Sequence, residues 1–185
     1  MASALQFRLA CRALHAGGVI AYPTEAVWGL GCEPRNRHAC TALLHLKQRD
    51  WRKGMILIAA DFEQLRPFIA PLSAQQLAPA LNTWPGPATW LLPASAETPE
   101  WVRGDSDRIA VRVTNHPIAA ELCRRYGGAL VSTSANRAGE PPAMSVAQVR
   151  AHLGARLDGV LPGALGGLDR PTPIRDLLTG ELLRA

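Results

Sequence analysis

Apolar residues recur along this chain at helical and strand intervals that predict a mixed α/β fold. Leu5, Leu9 and Leu14 follow helical spacing within residues 3–16, and a glycine pair comes directly after them. The next apolar run, residues 19–22, is short and stops at a proline, which is typical of a buried strand. The opening of the chain therefore predicts a helix followed by a strand.

The same two patterns continue to the end of the chain. Helical spacing predicts helices at 37–47, 61–70, 73–81, 116–125 and, after an N-cap at Ser145, up to Leu153. Apolar runs predict strands at 55–59, 88–92, 109–113 and 129–131, whereas residues 24–31 are expected to form a loop. Because helices and strands alternate without a repeat or a linker, we expect one α/β domain over residues 1–185.

Composition excludes several classes of protein. Apolar residues make up 48% of the chain and charged residues 19%, which suits a folded core and not a disordered chain. No apolar run reaches the roughly 18 residues of a membrane span, and the start lacks a signal-peptide pattern, so we expect a cytoplasmic protein. The spacing of Cys11, Cys32, Cys40 and Cys123 matches neither a zinc site nor a compact disulfide framework, which predicts buried, reduced thiols.

The basic residues are distributed unevenly. A net charge of +5 suits anionic partners such as nucleotides or RNA. The 20 basic residues include only two lysines, Lys47 and Lys53, and both lie in one short stretch with Arg49. Converging cations suit a triphosphate, whose charge must be neutralised during transfer at phosphorus, although no GxxxxGK[ST] loop is present. The alternative is a solvated basic corner.

Two further groups of polar residues follow predicted strands. Ser132, Ser134 and Asn136 extend beyond the strand at 129–131, where ligands bind in open α/β sheets. Their hydroxyl and amide groups suit phosphate, ribose or carboxylate oxygens, and the alternative is turn capping. After the first strand, Thr24 suits an oxygen ligand or a helix cap.

Charged side chains near the predicted strands suggest where ligands bind. Glu25 suits an amine or a metal ion. Arg112 lies within an apolar strand, where a guanidinium needs an anion, either a substrate carboxylate or a structural acidic residue. The chain has no HExxH, GxSxG or GxGxxG sequence. A site built from hydroxyls, amides and cations works by positioning and charge neutralisation.

Taken together, these motifs resemble the YrdC-like (TsaC-type) threonylcarbamoyl-AMP synthase family. The matching stretches cover nearly the whole chain and are 18–31, 46–49, 53–54, 84–87, 110–113, 116–117, 131–136 and 173–176. The resemblance implies one twisted-sheet α/β domain with a concave, positively charged cavity. Trp28 stands where the family often has a smaller aromatic ring, and Thr172-Pro173 where a serine-containing stretch is usual.

The resemblance also implies a reaction. L-threonine is carboxylated on its amine by bicarbonate, and the carbamate attacks the α-phosphorus of ATP, which releases pyrophosphate on the way to threonylcarbamoyladenosine in tRNA. The implied triphosphate residues are Lys47, Arg49 and Lys53, the further nucleotide residues are Ser132, Ser134, Asn136 and Arg175, and the threonine residues are Thr24 and Arg112. Mg²⁺ is expected to be held mainly by the nucleotide and not by a protein metal site. The implied partners include the downstream proteins that transfer the threonylcarbamoyl group to tRNA.

Two other functions remain open from the sequence. One is a nonenzymatic RNA-binding module, which the basic balance permits, although aromatic residues make up only 5% of the chain and supply little base stacking. The other is a carbamoyl-handling domain of the kind fused into hydrogenase-maturation proteins. The lack of acylphosphatase-like and zinc-finger segments argues against the second alternative.

Overall fold

The computed structural model describes residues 2–184 and arranges its strands in one mixed sheet. The strands are β1 (Ile20–Pro23), β2 (Trp28–Gly31), β3 (Ile56–Ala59), β4 (Thr89–Pro93), β5 (Arg108–Val113), β6 (Leu130–Ser134), β7 (Gly159–Val160), β8 (Ile174–Asp176) and β9 (Leu182–Arg184). Their order across the sheet is β7-β1-β2-β6-β3-β5-β4-β8-β9. Parallel pairs (β1–β7, β3–β5, β4–β8) and antiparallel pairs (β1–β2, β2–β6, β3–β6, β4–β5, β8–β9) occur together.

Six α-helices accompany the sheet over the described residues. They are α1 (Ala4–His15), α2 (Arg37–Lys47), α3 (Ala74–Leu81), α4 (Glu100–Arg103), α5 (Pro117–Tyr126) and α6 (Val146–Leu153). Side chains that accept hydrogen bonds from the first turn begin α1, α2, α3, α5 and α6 at Ser3, Asn36, Ser73, His116 and Ser145. None of these helices has the length and hydrophobicity that crossing a membrane requires.

Apolar side chains pack on both faces of the sheet. Alternate residues of β3 point to opposite faces, so that Leu57 joins a cluster with α2 and Ile58 joins a cluster with α1 and α5. Both residues are fully buried. The four cysteines are buried and unpaired, as the sequence predicts.

Two predictions of local structure were wrong. Residues 28–31 form β2 and not a loop, because pairing with β1 and β6 outweighs the poor strand propensity of two glycines. At Gly31 a β-carbon would lie 2.6 Å from the carbonyl oxygen of Val131, so only glycine fits this close approach. Residues 61–70 contain only a short 3₁₀ turn, Arg66–Phe68, since Pro67 removes a backbone donor there.

A long connection positions one side of the site. Residues 161–173, here called the strap, lead from β7 at one edge of the sheet to β8 near the opposite edge. Two backbone hydrogen bonds attach the strap to residues 24 and 25. The amide of Gly166 donates to the carbonyl of Thr24 at 3.0 Å, and the amide of Leu168 donates to the carbonyl of Glu25 at 3.0 Å. The strap therefore lies against the turn between β1 and β2.

Candidate functional site

A cavity of about 450 Å³ lies between the strap, the ends of several strands and the segment that follows α2. Its lining contains one acidic side chain, Glu25, and seven basic ones, which are Arg49, Arg52, Lys53, Arg103, Arg108, Arg112 and Arg184. This imbalance suits a polyanionic ligand. The positive potential expected of the cavity remains a prediction that the lining residues support.

Arg112 on β5 is the most enclosed cation of the cavity, with 6% of its surface exposed. Its Nη2 lies 3.1 Å from Oε2 of Glu25, and its Nη1 donates to Oγ1 of Thr172 at 2.7 Å. Its Nε has no hydrogen-bond partner among the described residues. The anion that this buried guanidinium requires is thus supplied by the protein, while one of its donors remains free.

Glu25 is held in place by a network from the strap and from the segment between β5 and α5. Its Oε1 accepts from the hydroxyl of Thr114 at 2.5 Å, and that hydroxyl oxygen accepts from the amide of His116 at 3.1 Å. Nε2 of His116 lies 3.1 Å from the carbonyl of Ala164 in the strap, and burial lowers the pKa of this histidine. Neutral His116 therefore ties the strap to the residues around Glu25.

Thr24 closes the turn between β1 and β2. Its hydroxyl and its amide both donate to the carbonyl of Val27, at 2.7 and 3.1 Å. Thr24 also lines the cavity. The side chain caps a turn and not a helix, and its residue borders the cavity.

A second part of the cavity is formed by two loops that carry basic residues, one between α2 and β3 and one between α4 and β5. Nη2 of Arg49 donates to the carbonyl of Gly54 at 2.9 Å, and burial lowers the pKa of this arginine. A β-carbon on Gly104 would lie 2.3 Å from the carbonyl oxygen of Arg52, so the two loops approach each other through glycine. This contact brings Arg103 to the cavity beside the loop that carries Arg49 and Lys53, a placement that no local pattern in the sequence predicts.

Lys47, at the end of α2, serves a different purpose from the other cations. Its side chain is buried, and Nζ donates to the carbonyl of Ser134, to the carbonyl of Asn136 at 2.8 Å and to Oδ1 of Asn136 at 3.4 Å. Burial, and secondarily the charge of Arg49, lowers the pKa of Lys47 to about 8. Three donors on one compact ammonium match three oxygens here, an arrangement that suits a lysine better than an arginine.

The structure places most of the predicted site residues around one cavity. Six of them line it: Thr24, Arg49, Lys53, Arg112, Ser132 and Ser134. Lys47, Asn136 and Arg175 do not belong to its lining. Lys47 and Asn136 contact each other below the end of β6, whereas Arg175 is exposed.

Arg184 lines the cavity where Arg175 was expected. Successive residues of a strand point to opposite faces, and Ile174 is the residue of β8 that lines the cavity. Arg184 on β9 pairs with Ile174, so it shares that face, and its Nη2 donates to the carbonyl of Thr172 at 2.8 Å. Thr172 was also left without a predicted role, although it is buried and contacts Arg112.

Sequence comparisons identify relatives of this chain. The family model for Sua5, YciO and YrdC, described as "Telomere recombination", matches residues 12–185. A protein of Halorhodospira halophila named threonylcarbamoyl-AMP synthase is 58% identical over 177 residues, which are 96% of this chain and 93% of that protein. A protein of the same name from Nitrosococcus oceani is 56% identical and covers 96% of both chains.

A structural comparison agrees with these relatives. The crystal structure of P. abyssi Sua5 complexed with L-threonine matches with a TM-score of 0.90 and 29% identity over 96% of this chain. The match covers 53% of that chain, so the present sequence spans about half the length of P. abyssi Sua5. The fold and the resemblance predicted from the motifs are thereby confirmed: this chain belongs to the YrdC-like family, the family of Sua5, YciO and the threonylcarbamoyl-AMP synthases.

Proposed function

We propose that this chain is an L-threonylcarbamoyladenylate synthase, which joins L-threonine, bicarbonate and ATP and releases pyrophosphate. The observation that carries the proposal is one cavity in which a buried arginine with a free donor lies near several more exposed cations. Relatives named threonylcarbamoyl-AMP synthase, at 51–58% identity over most of the chain, support the same reaction. The product would serve the threonylcarbamoyladenosine modification of tRNA.

L-threonine binds at the enclosed part of the cavity. Its carboxylate approaches the guanidinium of Arg112, which lines the cavity, and charge-assisted hydrogen bonds of this kind are short and strong. Thr172 lines the same region and offers its hydroxyl to the carboxylate, whereas Thr24, whose proton is donated to the carbonyl of Val27, accepts from the hydroxyl or the amine of the substrate. Glu25 is already engaged by Arg112 and Thr114, so it orients the arginine.

ATP binds along the remaining wall. Arg49 and Lys53, with Arg103 and Arg184, surround the phosphates, and the hydroxyls of Ser132 and Ser134 bind the nucleotide; all six line the cavity. Lys47 acts on the nucleotide indirectly, because it holds the segment 134–136 in place. Asn136 belongs to the same support. Arg175 contributes no contact from its exposed position.

The residues around the cavity favour transfer at phosphorus. The threonine amine and bicarbonate combine into a carbamate with loss of water, and a carbamate oxygen forms a bond to the α-phosphorus. The bond to the bridging oxygen of the β-phosphate breaks, and pyrophosphate leaves with that electron pair. Arg49 and Lys53 neutralise the charge that develops on the phosphates.

Mg²⁺ is expected on the phosphates of the nucleotide. Over residues 2–184, no group of three or more His, Cys, Asp or Glu side chains is arranged to hold a metal ion. The one carboxylate in the lining, Glu25, is occupied by protein contacts. These residues fit an ion that ATP carries into the site, where it neutralises phosphate charge.

The remaining expectations follow from this function. An enzyme that supplies a tRNA modification would act in the cytoplasm, deliver its adenylate to the transfer proteins and come close to RNA. The names of the relatives favour the synthase over a nonenzymatic RNA-binding module and over a carbamoyl-handling domain. Pull-down of the transfer proteins and salt-dependent tRNA retention would test these partners.

Product analysis tests the proposed reaction directly. The purified chain is incubated with ATP, L-threonine and isotopically labelled bicarbonate, and the products are identified by mass spectrometry. We expect pyrophosphate and a labelled threonylcarbamoyladenylate only when threonine and bicarbonate are both present. Release of ADP and orthophosphate as the main products would contradict the proposal, and D-threonine serves as the control substrate.

A further inference from the structure

A pair of threonines lies behind the guanidinium of Arg112. Thr89 on β4 is 1% exposed and does not line the cavity, whereas Thr172 in the strap is 3% exposed and lines it. Their hydroxyl oxygens are 2.9 Å apart. Nη1 of Arg112 lies 2.7 Å from the hydroxyl oxygen of Thr172 and 3.4 Å from that of Thr89. A buried residue outside the cavity is thus hydrogen-bonded to two residues that form its wall.

The hydroxyl protons of this pair have one consistent arrangement. A hydroxyl has one proton to donate and two lone pairs that accept, and Arg112 only donates. If Thr172 donated to Thr89, the proton of Thr89 would be buried without an acceptor among the described residues, which is costly. Thr89 therefore donates to Thr172, and Thr172 accepts from both Thr89 and Arg112.

This arrangement leaves the proton of Thr172 free of both neighbours, and Thr172 lines the cavity. We propose that Thr89 is a positioning residue, whose hydroxyl fixes Thr172 as a hydrogen-bond donor to the substrate carboxylate beside Arg112. The inference rests on the proposed function, since the carboxylate is that of L-threonine. A donor oriented before the substrate arrives loses no free energy to reorientation.

The backbone keeps the pair in register. Thr89 pairs with Ile174 where β4 meets β8, and its amide donates to the carbonyl of Pro173 at 3.1 Å. Arg184 donates to the carbonyl of Thr172 from the other side at 2.8 Å. Sheet pairing therefore places the end of the strap so that the two hydroxyls meet.

Calorimetric titration of the wild type and three variants with L-threonine tests the inference. Thr89→Val keeps the shape of the side chain and its strand propensity but removes the donor, and we expect about fivefold to tenfold weaker threonine binding. Thr89→Ser restores the hydroxyl and should stay within about twofold of wild type. ATP affinity should not change in either variant. Thr98→Val removes a different buried hydroxyl, one that donates to the carbonyl of Phe68 at 2.8 Å, and should leave threonine affinity unchanged.

A double-mutant cycle distinguishes the positioning of Thr172 by Thr89 from a general packing effect of the substitution. In a Thr172→Val background, Thr89→Val should cause no further loss of threonine affinity, because the residue that it orients has lost its hydroxyl. An additional loss as large as in the wild type would overturn the inference. Thr89→Cys, whose thiol is a weak donor, gives a second test if the valine variant does not fold, and it should bind with intermediate affinity.

Two negative outcomes are distinguishable. Failure of the wild type to bind L-threonine would overturn the proposed function and this inference with it. Tight binding by the wild type together with undiminished binding by folded Thr89→Val or Thr89→Cys would overturn the positioning role alone.

Discussion

At the scale of single residues, two buried cations are stabilised in different ways. Lys47 donates to three neutral oxygens of one segment, whereas Arg112 faces the carboxylate of Glu25 and the hydroxyl of Thr172. An ammonium with three rotatable donors suits scattered acceptors, and a planar guanidinium suits a carboxylate. Exchanging the two residue types should therefore be harmful at both positions.

Lys47→Arg should lower the rate of pyrophosphate release by at least about tenfold, equivalent to ~1.4 kcal/mol of barrier. Because the ammonium is buried among the oxygens of Ser134 and Asn136, the larger guanidinium should also displace the segment and reduce the melting temperature. Lys53→Arg keeps a cation at an exposed position of the cavity and should retain most activity with an unchanged melting temperature. Full activity of Lys47→Arg would show that the ammonium is dispensable.

The titration of Lys47 predicts a pH dependence. Its pKa is lowered to about 8, so raising the pH through this value removes the ammonium charge, and we expect the KM for ATP to increase. The unfolded chain keeps this proton until about pH 10.4, so the unfolded state binds more protons than the folded state between these values, and raising the pH there increases stability because it relieves the cost of the buried ammonium. The KM for ATP and the melting temperature are measured against pH for the wild type and for Lys47→Arg. An increase in KM above pH 8 without a lower melting temperature, seen in the wild type alone, would identify Lys47 as the titrating group. The same pH dependence of KM in both proteins would contradict this assignment.

The pair formed by Arg112 and Glu25 combines a structural role with the proposed binding role. Arg112→Gln leaves a buried carboxylate without its cation, which should cost about 3–5 kcal/mol of the free energy of unfolding. Arg112→Gln with Glu25→Gln should recover most of this stability but not the binding of L-threonine. Urea unfolding and calorimetry measure the two effects.

Wild-type threonine affinity in the Arg112→Gln/Glu25→Gln variant would show that Arg112 is purely structural. Arg66→Gln provides the control, because the ion pair between Arg66 and Glu63 is exposed on the surface. We expect no measurable change in stability or threonine affinity from this control substitution.

At the scale of secondary-structure elements, the end of β6 combines ligand contact with support. Ser134 lines the cavity, while Nδ2 of Asn136 donates to the carbonyls of Arg137 and Glu140 at 2.8 and 2.7 Å. Ser134→Ala should weaken ATP binding by a free energy of ~1 kcal/mol with little change in melting temperature. Asn136→Ala should lower the melting temperature clearly, because it removes bonds that shape the segment. If both variants changed ATP affinity and melting temperature to the same extent, this division between ligand contact and support would be contradicted.

The strap depends on a glycine where it passes the turn between β1 and β2. A β-carbon on Gly166 would lie 2.9 Å from Cα and 3.0 Å from the carbonyl oxygen of Glu25, both backbone atoms that cannot move aside easily. Gly166→Ala should therefore reduce stability by about 1–3 kcal/mol and weaken L-threonine binding. Gly128→Ala, whose β-carbon would meet only Tyr126 at 3.8 Å, is the neutral control. If Gly166→Ala had wild-type stability in urea unfolding and wild-type threonine affinity in calorimetry, the strap would have no role in the site.

At the scale of the whole molecule, charge should decide which substrate responds to salt. The chain carries a net charge of +5, and seven basic side chains line the cavity. ATP is a polyanion, so its affinity should fall steeply between low salt and about 1 M NaCl, where the screening length shrinks to about 3 Å. L-threonine has no net charge, and its affinity should change little. Equal salt sensitivity of both affinities, measured by calorimetry, would argue against a cationic cavity.

The sequence by itself determined the features that depend on neighbouring residues. Helical and alternating patterns predicted most elements, because each reports burial of one face of a local structure. Motif spacing identified the family and six of the residues that line the cavity, since Thr24, Arg49 and Ser134 each stand at the end of an element that the pattern locates. Polar residues at the end of a strand indicate a ligand-binding position wherever that strand lies in the sheet.

Only the tertiary structure decided which side chains meet across the chain. Lys47 finds its acceptors 87 and 89 residues away, and Arg112 finds Thr172 after 60 residues. The choice of Arg184 over Arg175 depends on the pairing of β8 with β9, which shifts between Ile174 and Arg175. Register and strand order are set by the packing of the whole sheet and by the path of the strap, and a local pattern contains neither of them.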